Sequence, residues 1–254
     1  MNNLREALRA GKTVVGTWLN SGSPVVAEIL AQCGFDFVCV DAEHSAVDLH
    51  QTQQLFQAIR SGSPDCAAVV RLHGVDYSFV KRYLDAGARG VICPLINTRQ
   101  DAELFVSAVK YPPAGNRGVG FCRANAYGLR LDDEFKRANE EVLTAVQIEH
   151  VTGAANIEEI VSVPGVDAVF IGPYDLSASM GLTGQFQHPE YVGARDRILA
   201  VCRARNVPVG IHVIQPEPRE LRQRIDEGYR LLAYSLDITM IQYLSRPGIQ
   251  EARK

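Results

Sequence analysis

Asp41-Ala-Glu43-His44 packs two carboxylates and an imidazole into four residues, directly after the apolar run FDFVCV. Groups of this kind at the end of a buried strand suit proton transfer. Other apolar runs end in the same way: AAVVRL carries Arg71, VLTAVQIE carries Gln147 and Glu149, and DAVFIG runs into GPYDLS with Asp175. Gln147 and Glu149 alternate with Ile148, so both face the same side of a strand. A buried carboxylate there is costly unless a cation meets it, either an arginine in a structural ion pair or a metal. Glu149 and Asp175, with no cysteine or paired histidine near them in sequence, make an oxygen-rich half-site for Mg²⁺ or Mn²⁺, completed by water and substrate oxygens. The turn IGPYDLS offers backbone N–H groups to a substrate carboxylate. Together these features point to a 2-oxo acid held through two oxygens.

Each residue also has a plainer reading. Asp41, Ser45 or Asp175 could cap a helix, Trp18 could be core packing, His44 a loop histidine and Arg71 a barrel salt bridge. Asp85, in the last turn of a helix ending YLDAG, is either a solvated carboxylate or a partner for a histidinium from a neighbouring loop. Imine chemistry needs a lysine inside a pocket. The five lysines, Lys12, Lys81, Lys110, Lys136 and Lys254, instead precede strands, lie on helices or end the chain. Any carbonyl chemistry here therefore calls for a metal as electron sink.

These side chains must be positioned by something, and the chain supplies eight β-rich apolar runs: 13–19, 35–42, 67–72, 90–96, 142–149, 167–172, 207–213 and 231–236. Helix-period segments separate them, with start signals at Ser23-Pro24, Asp76, Thr98 with Asp101, and Pro216. Near-continuous apolar strands that return through helices are parallel and buried on both faces. Eight such units in one domain spanning 1–254 predict a closed (β/α)₈ TIM barrel, whose reactive residues gather at the C-terminal strand ends. The turn WLNSGSP is not GxGxxG, so no nucleotide cofactor is expected. Residues 111–141 form an unusually long connection, expected to hold a Pro/Gly-dense turn and a helix.

Composition narrows the partners. The 254 residues are 46% hydrophobic with a net charge of −3, enough for a large core and without a basic run for nucleic acid or a membrane surface. The first residues lack the apolar core of a signal peptide and no run approaches the roughly 18 apolar residues of a membrane span, so a soluble cytoplasmic protein is expected. Six scattered cysteines without CxxC read as buried free thiols.

The segments GTWLNSGSPVVAEILAQCGFDFVCVDAEH, VVRL, YPPAGNRGVG, VQIE and VFIGPYDLSASMG stand in the order found in the HpcH/HpaI aldolases, which the chain resembles over nearly its whole length. The resemblance implies a barrel of the phosphoenolpyruvate/pyruvate type that cleaves a 4-hydroxy-2-oxo acid reversibly to pyruvate and an aldehyde. It makes Glu149 and Asp175 the ligands of a divalent ion (Mg²⁺, Mn²⁺ or Co²⁺). Arg71 becomes the residue that holds the keto oxygen and stabilises the enolate, His44 the acid–base group and Asp85 its carboxylate partner. Gln147, Gly172, Pro173 and Trp18 line the substrate, and Asp41 and Glu43 order metal-bound water. It also implies a hexamer that exchanges the last helix between subunits, although here that segment is short and interrupted by Pro247. Arg123 and His212 are candidates for the aldehyde end. Rival readings are other enolate chemistry, such as oxaloacetate decarboxylation or acyl-CoA cleavage, and a non-catalytic barrel that binds a small acid.

Overall fold

The computed structural model describes residues 3–254. Eight parallel strands close on themselves in sequential order: β1 (Val14–Leu19), β2 (Phe37–Asp41), β3 (Ala67–Arg71), β4 (Gly90–Cys93), β5 (Leu143–Ile148), β6 (Ala168–Ile171), β7 (Val209–Val213) and β8 (Leu231–Leu236), with β8 pairing back onto β1. A short helix, α1 (Leu4–Arg9), precedes the barrel. The first return helix, α2 (Pro24–Gln32), starts where Ser23 accepts the Val26 N–H; α3 (Leu49–Gly62) follows β2, and α4 (Tyr77–Asp85) is capped by Asp76. Thr98 and Asp101 form a reciprocal capping box on α5 (Arg99–Val109), which satisfies two otherwise orphaned N–H groups. The long connection holds a 3-10 turn, Arg123–Gly128, and α6 (Leu131–Glu141). Two short helices, α7 (Val151–Ala155) and α8 (Ile157–Ile160), follow β5, and then α9 (Pro173–Ser179), α10 (Pro189–Ala204) and α11 (Pro218–Asp226) complete the layer.

Pleating divides the core in two. Val38, Val40, Val70, Val91, Val146 and Ile148 face the helices, while Val14, Trp18, Phe37, Cys39, Val69, Leu143, Ala145 and Phe170 fill the barrel. Parity then fixes the site, because a residue two positions beyond an inward side chain is inward too. Asp41 follows Phe37 and Cys39, Arg71 follows Ala67 and Val69, and Gln147 with Glu149 follow Leu143 and Ala145.

The last helix, α12 (Asp237–Ala252), differs from expectation, because it runs through Pro247 without a break. Proline removes one N–H from the helix ladder. The carbonyl this orphans belongs to Tyr243, on an exposed stretch where water can serve it. Ile241, Leu244 and Ile249 on the same helix are also exposed. Among the described residues no helix is long and apolar enough to cross a membrane.

Candidate active site

The register of β2 against β3 sets Asp41 directly beside Arg71. Their side chains close a two-pronged pair, Arg71 Nε donating to Asp41 Oδ1 at 2.9 Å and Nη2 to Oδ2 at 2.6 Å. Asn20 Nδ2 adds a bond to Oδ2 at 2.8 Å, and the N–H groups of Glu43 and His44 reach Oδ1 at 3.1 and 3.2 Å. The guanidinium lies 4.5 Å over the Trp18 ring, a cation–π contact strengthened by desolvation. Burial alone would depress Arg71, yet the Asp41 bonds and charge, with Glu43, hold it above its ordinary value. Burial would likewise raise Asp41, but Arg71 and the N–H donors bring it below the usual carboxylate range. Arg71 is thus a permanent, immobilised cation at the barrel mouth.

This pair revises one expectation. Asp41 clamps Arg71 and shapes the loop after β2, in addition to any effect on water. It does not cap α3, whose cap is Asp48 accepting the Gln51 N–H at 2.8 Å. Ser45 donates its hydroxyl back to the Asp41 carbonyl and does not cap that helix either.

Two strands on from Arg71 stand the two residues of the β5 end. Glu149 is 4% exposed and Gln147 2%. Gln147 Nε2 bonds Glu149 Oε2, and the Leu95 N–H donates to Glu149 Oε1 at 2.8 Å. Burial pushes the Glu149 carboxyl up against these bonds, and the negative charge of Asp175 adds to the rise. Glu43 is pushed up to about 7 by burial, with Arg71 opposing and Glu149 and Asp41 reinforcing. Its Oε2 lies 3.3 Å from Arg71 Nε and 3.7 Å from His44 Nε2 but accepts no hydrogen bond. Gln147 Oε1, Asn20 Oδ1 and the Trp18 Nε1–H are also buried without partners.

Gly172 makes the β6 side of the mouth. A methyl group there would sit 2.8 Å from Glu149 Cβ and 2.9 Å from its Oε2. Only glycine lets the strand-to-helix turn approach the carboxylate. Pro173 opens α9, and Asp175 sits exposed in its first turn; the cap position is Gly172, so Asp175 is not the N-cap. Trp18 is both core and wall, 3% exposed, edge-on to Phe170 at 5.7 Å and to His212 at 5.9 Å. His212 contacts the Ser235 carbonyl at 3.2 Å through Nε2, and burial lowers it to about 4. It is a neutral ring at the mouth.

The donor set tests the metal expectation. Among the described residues no three His, Cys, Asp or Glu side chains converge as a ready-made cage. What the mouth offers is the buried Glu149, raised in part by the negative charge of Asp175, and beside it Gln147, whose Oε1 has no partner. These hard oxygen donors with excess negative charge fit a Mg²⁺-type ion that keeps water or substrate in most of its positions.

Two further residues depart from the sequence reading. Asp85 ends α4 and is bound by Arg117 Nη2 at 2.8 Å, while the ion-pair contact of His44 within the chain is Glu43. The two expected partners thus find other neighbours in this chain. Arg117, from YPPAGNRGVG, is fully buried, stacks at 4.4 Å on Tyr111 and leaves Nε and Nη1 without partners. Its signal was its place in the Pro/Gly-dense motif YPPAGNRGVG. Asn20 was missed, as was the anchoring work of Asp237, whose carboxylate takes the Asn20 and Ser21 N–H groups at 2.9 and 3.0 Å. Arg123 lies away from the mouth, bonded to the Ala86 carbonyl at 2.9 Å, so it is not at the aldehyde end. Lys110, the buried lysine, donates to the carbonyls of Asn139 and Val142 near the strand starts.

The sequence profile of the HpcH/HpaI aldolase/citrate lyase family matches residues 14–242. A hydroxypyruvate/pyruvate aldolase of Sagittula stellata is 40% identical over 95% of this chain and 94% of its own length. A 4-hydroxy-2-oxovalerate aldolase of Rhodococcus jostii is 36% identical over 95% and 92%. The crystal structure of an HpcH/HpaI aldolase/citrate lyase family protein from Burkholderia cenocepacia superposes with a TM-score of 0.94 at 37% identity, covering all of both chains.

Proposed function

Because this chain belongs to the HpcH/HpaI aldolase/citrate lyase family, we propose that its barrel mouth carries out reversible aldol cleavage of a 4-hydroxy-2-oxo acid to pyruvate and an aldehyde. The carrying observation is Arg71, a cation fixed by Asp41 at the barrel mouth, whose charge acts on the buried Glu149 carboxylate. Glu149 and Asp175 are the groups that would hold a divalent ion, which when bound supplies Lewis-acid polarisation of the 2-oxo acid.

The residues divide the remaining work. Arg71 meets the oxygen on which negative charge develops as the C3–C4 bond breaks, and its clamp by Asp41 means it need not reorganise during the reaction. His44, with 61% of its side chain exposed, stands where it takes the proton from the 4-hydroxyl and returns one in the synthetic direction. Glu43 links the two, lying within 4 Å of each. Gln147 orients Glu149, and Gly172 and Pro173 shape the turn that receives the substrate carboxylate. Trp18 and the neutral His212 wall the site without adding charge. Arg117 holds Asp85 at the end of α4, and the exposed apolar side of α12 supports assembly of several copies. The buried free thiols Cys39, Cys66, Cys93 and Cys202 suit a reducing, cytoplasmic setting.

The test is release of pyruvate from a racemic 4-hydroxy-2-oxo acid, coupled to lactate dehydrogenase. Arg71→Ala is expected to lower kcat by about 10²–10³-fold, the cost of one removed oxyanion donor. Unchanged turnover in that variant contradicts the assignment.

A further inference from the structure

At the strand-start end of the barrel, remote from the mouth, a cavity of about 310 Å³ opens between α3, α6, the 3-10 turn and the beginnings of β3 and β4. Four guanidiniums line it, those of Arg60, Arg89, Arg123 and Arg137, against the carboxylates of Asp65, Glu134 and Glu141. The charges are unevenly shared. Glu141 lies between Arg89 and Arg137, at 3.6 and 3.7 Å. Arg60 and Arg123 are held by backbone carbonyls alone among the described residues: Arg60 by Pro64 at 2.7 Å, and Arg123 by Ala86 at 2.9 Å and Phe56 at 3.5 Å. Two cations therefore face the cavity oriented but not neutralised.

The backbone is shaped around Arg123. Gly87 adopts φ +106, and a Cβ there would lie 2.1 Å from Arg123 Nη1, so the guanidinium occupies space that any other residue would fill. Glu134 gives a second observation. It lines the cavity, is 3% exposed, and its Oε2 has no hydrogen-bond partner. Burial raises its carboxyl above the ordinary range, which favours the protonated form that donates to an oxyanion over the carboxylate that would repel one. Burial, with Arg89 and Arg60 close by, also weakens the hold of Arg123 on its proton, a stress that a bound anion would relieve.

We propose that this cavity is a second binding site, separate from the barrel mouth, for a small oxyanion, a phosphate or carboxylate group seated between Arg123 and Arg60 within reach of Glu134. Guanidinium forks match both groups in geometry, and the size excludes macromolecular ligands. The site needs neither the divalent ion nor the aldolase reading.

Isothermal titration of the intact protein with inorganic phosphate, and separately with malonate, tests it. Either probe is expected to bind at millimolar concentration or below, and the tighter one identifies the class of natural ligand. Arg123→Gln and Arg60→Gln should each weaken binding about tenfold, the scale of one charge-assisted hydrogen bond. Arg60 is exposed on α3, so its variant keeps the fold and carries the test if Arg123→Gln does not. Arg71→Ala should bind both probes as the unaltered protein does. Absence of binding by either probe, equal binding by Arg60→Gln, or loss of binding in Arg71→Ala, which would place the anion in the mouth, overturns the proposal.

Discussion

The two ends of the barrel axis both carry buried ions, and they treat them differently. At the strand-start end Asp167, with 2% of its side chain exposed, accepts from Arg5 Nε at 2.5 Å, from Arg9 Nη2 at 3.5 Å and from the Thr144 N–H at 3.1 Å. Arg5 is completed by the Asn139 carbonyl and Glu140. At the mouth, Glu149 is 4% exposed and feels the negative charge of Asp175, Glu43 stands 3.3 Å from an Arg71 already engaged by Asp41, and oxygens of Gln147, Glu43 and Asn20 lack partners. The Arg5–Asp167 cluster is a finished plug, whereas Glu149 at the mouth has no cation bonded to it. Burying charge is tolerated where pairing is complete, so the incompletely paired group is where binding free energy remains available for a ligand.

The largest expected effect separates the two ends. Asp167→Asn should destabilise the protein by about 3–5 kcal/mol, because it strands the buried Arg5 charge. Glu149→Gln should leave the metal-free protein as stable or slightly more so, within about 1 kcal/mol, since it removes a charge that burial already penalises. Urea unfolding at neutral pH reads both, and equal losses would erase the contrast.

A smaller effect probes how tightly the mouth is built. Gly172→Ala drives a methyl group into the Glu149 side chain and should cost about 1–3 kcal/mol, typical of overpacking, with a loss of activity larger than the loss of stability. Thermal unfolding alongside turnover checks it; full activity would mean that the turn has slack.

The smallest concerns pH. The folded value of His212 lies near 4, below the ordinary 6.5. Between those values the unfolded chain takes up a proton that the folded chain refuses, so stability is intact above the window and falls as pH is lowered through it. For a ring at the rim of an open mouth the effect should be about 1 kcal/mol. His212→Gln, compared by urea unfolding at pH 7 and pH 5, should flatten the slope.

Much of this arrangement can be read from the chain. Each apolar run places its strand, and the alternation Phe37, Cys39, Asp41 or Leu143, Ala145, Gln147 sends the polar residue inward by parity alone. What parity does not supply is the partner. Asp41 and Arg71 meet because β2 and β3 are in register at those positions, which appears only once the strands are laid side by side. Asp237 anchors Asn20 because β8 closes against β1, a contact spanning 217 residues. Asp85 meets Arg117 because the long connection after α5 folds back against α4, and nothing local to YLDAG signals that return. The continuity of α12 through Pro247 is hidden for the opposite reason: solvent relaxes the local rule that proline interrupts a helix.

Hydrogen–deuterium exchange at the methyl group of pyruvate, followed by proton NMR, tests most directly the proposal that a divalent cation completes the mouth as an enolate site. Protein stripped with chelator should be inert, and restoring Mg²⁺ or Mn²⁺ should start exchange that Arg71→Ala slows by about 10²–10³-fold. Exchange at the same rate with and without the ion, or none under either condition, would contradict it.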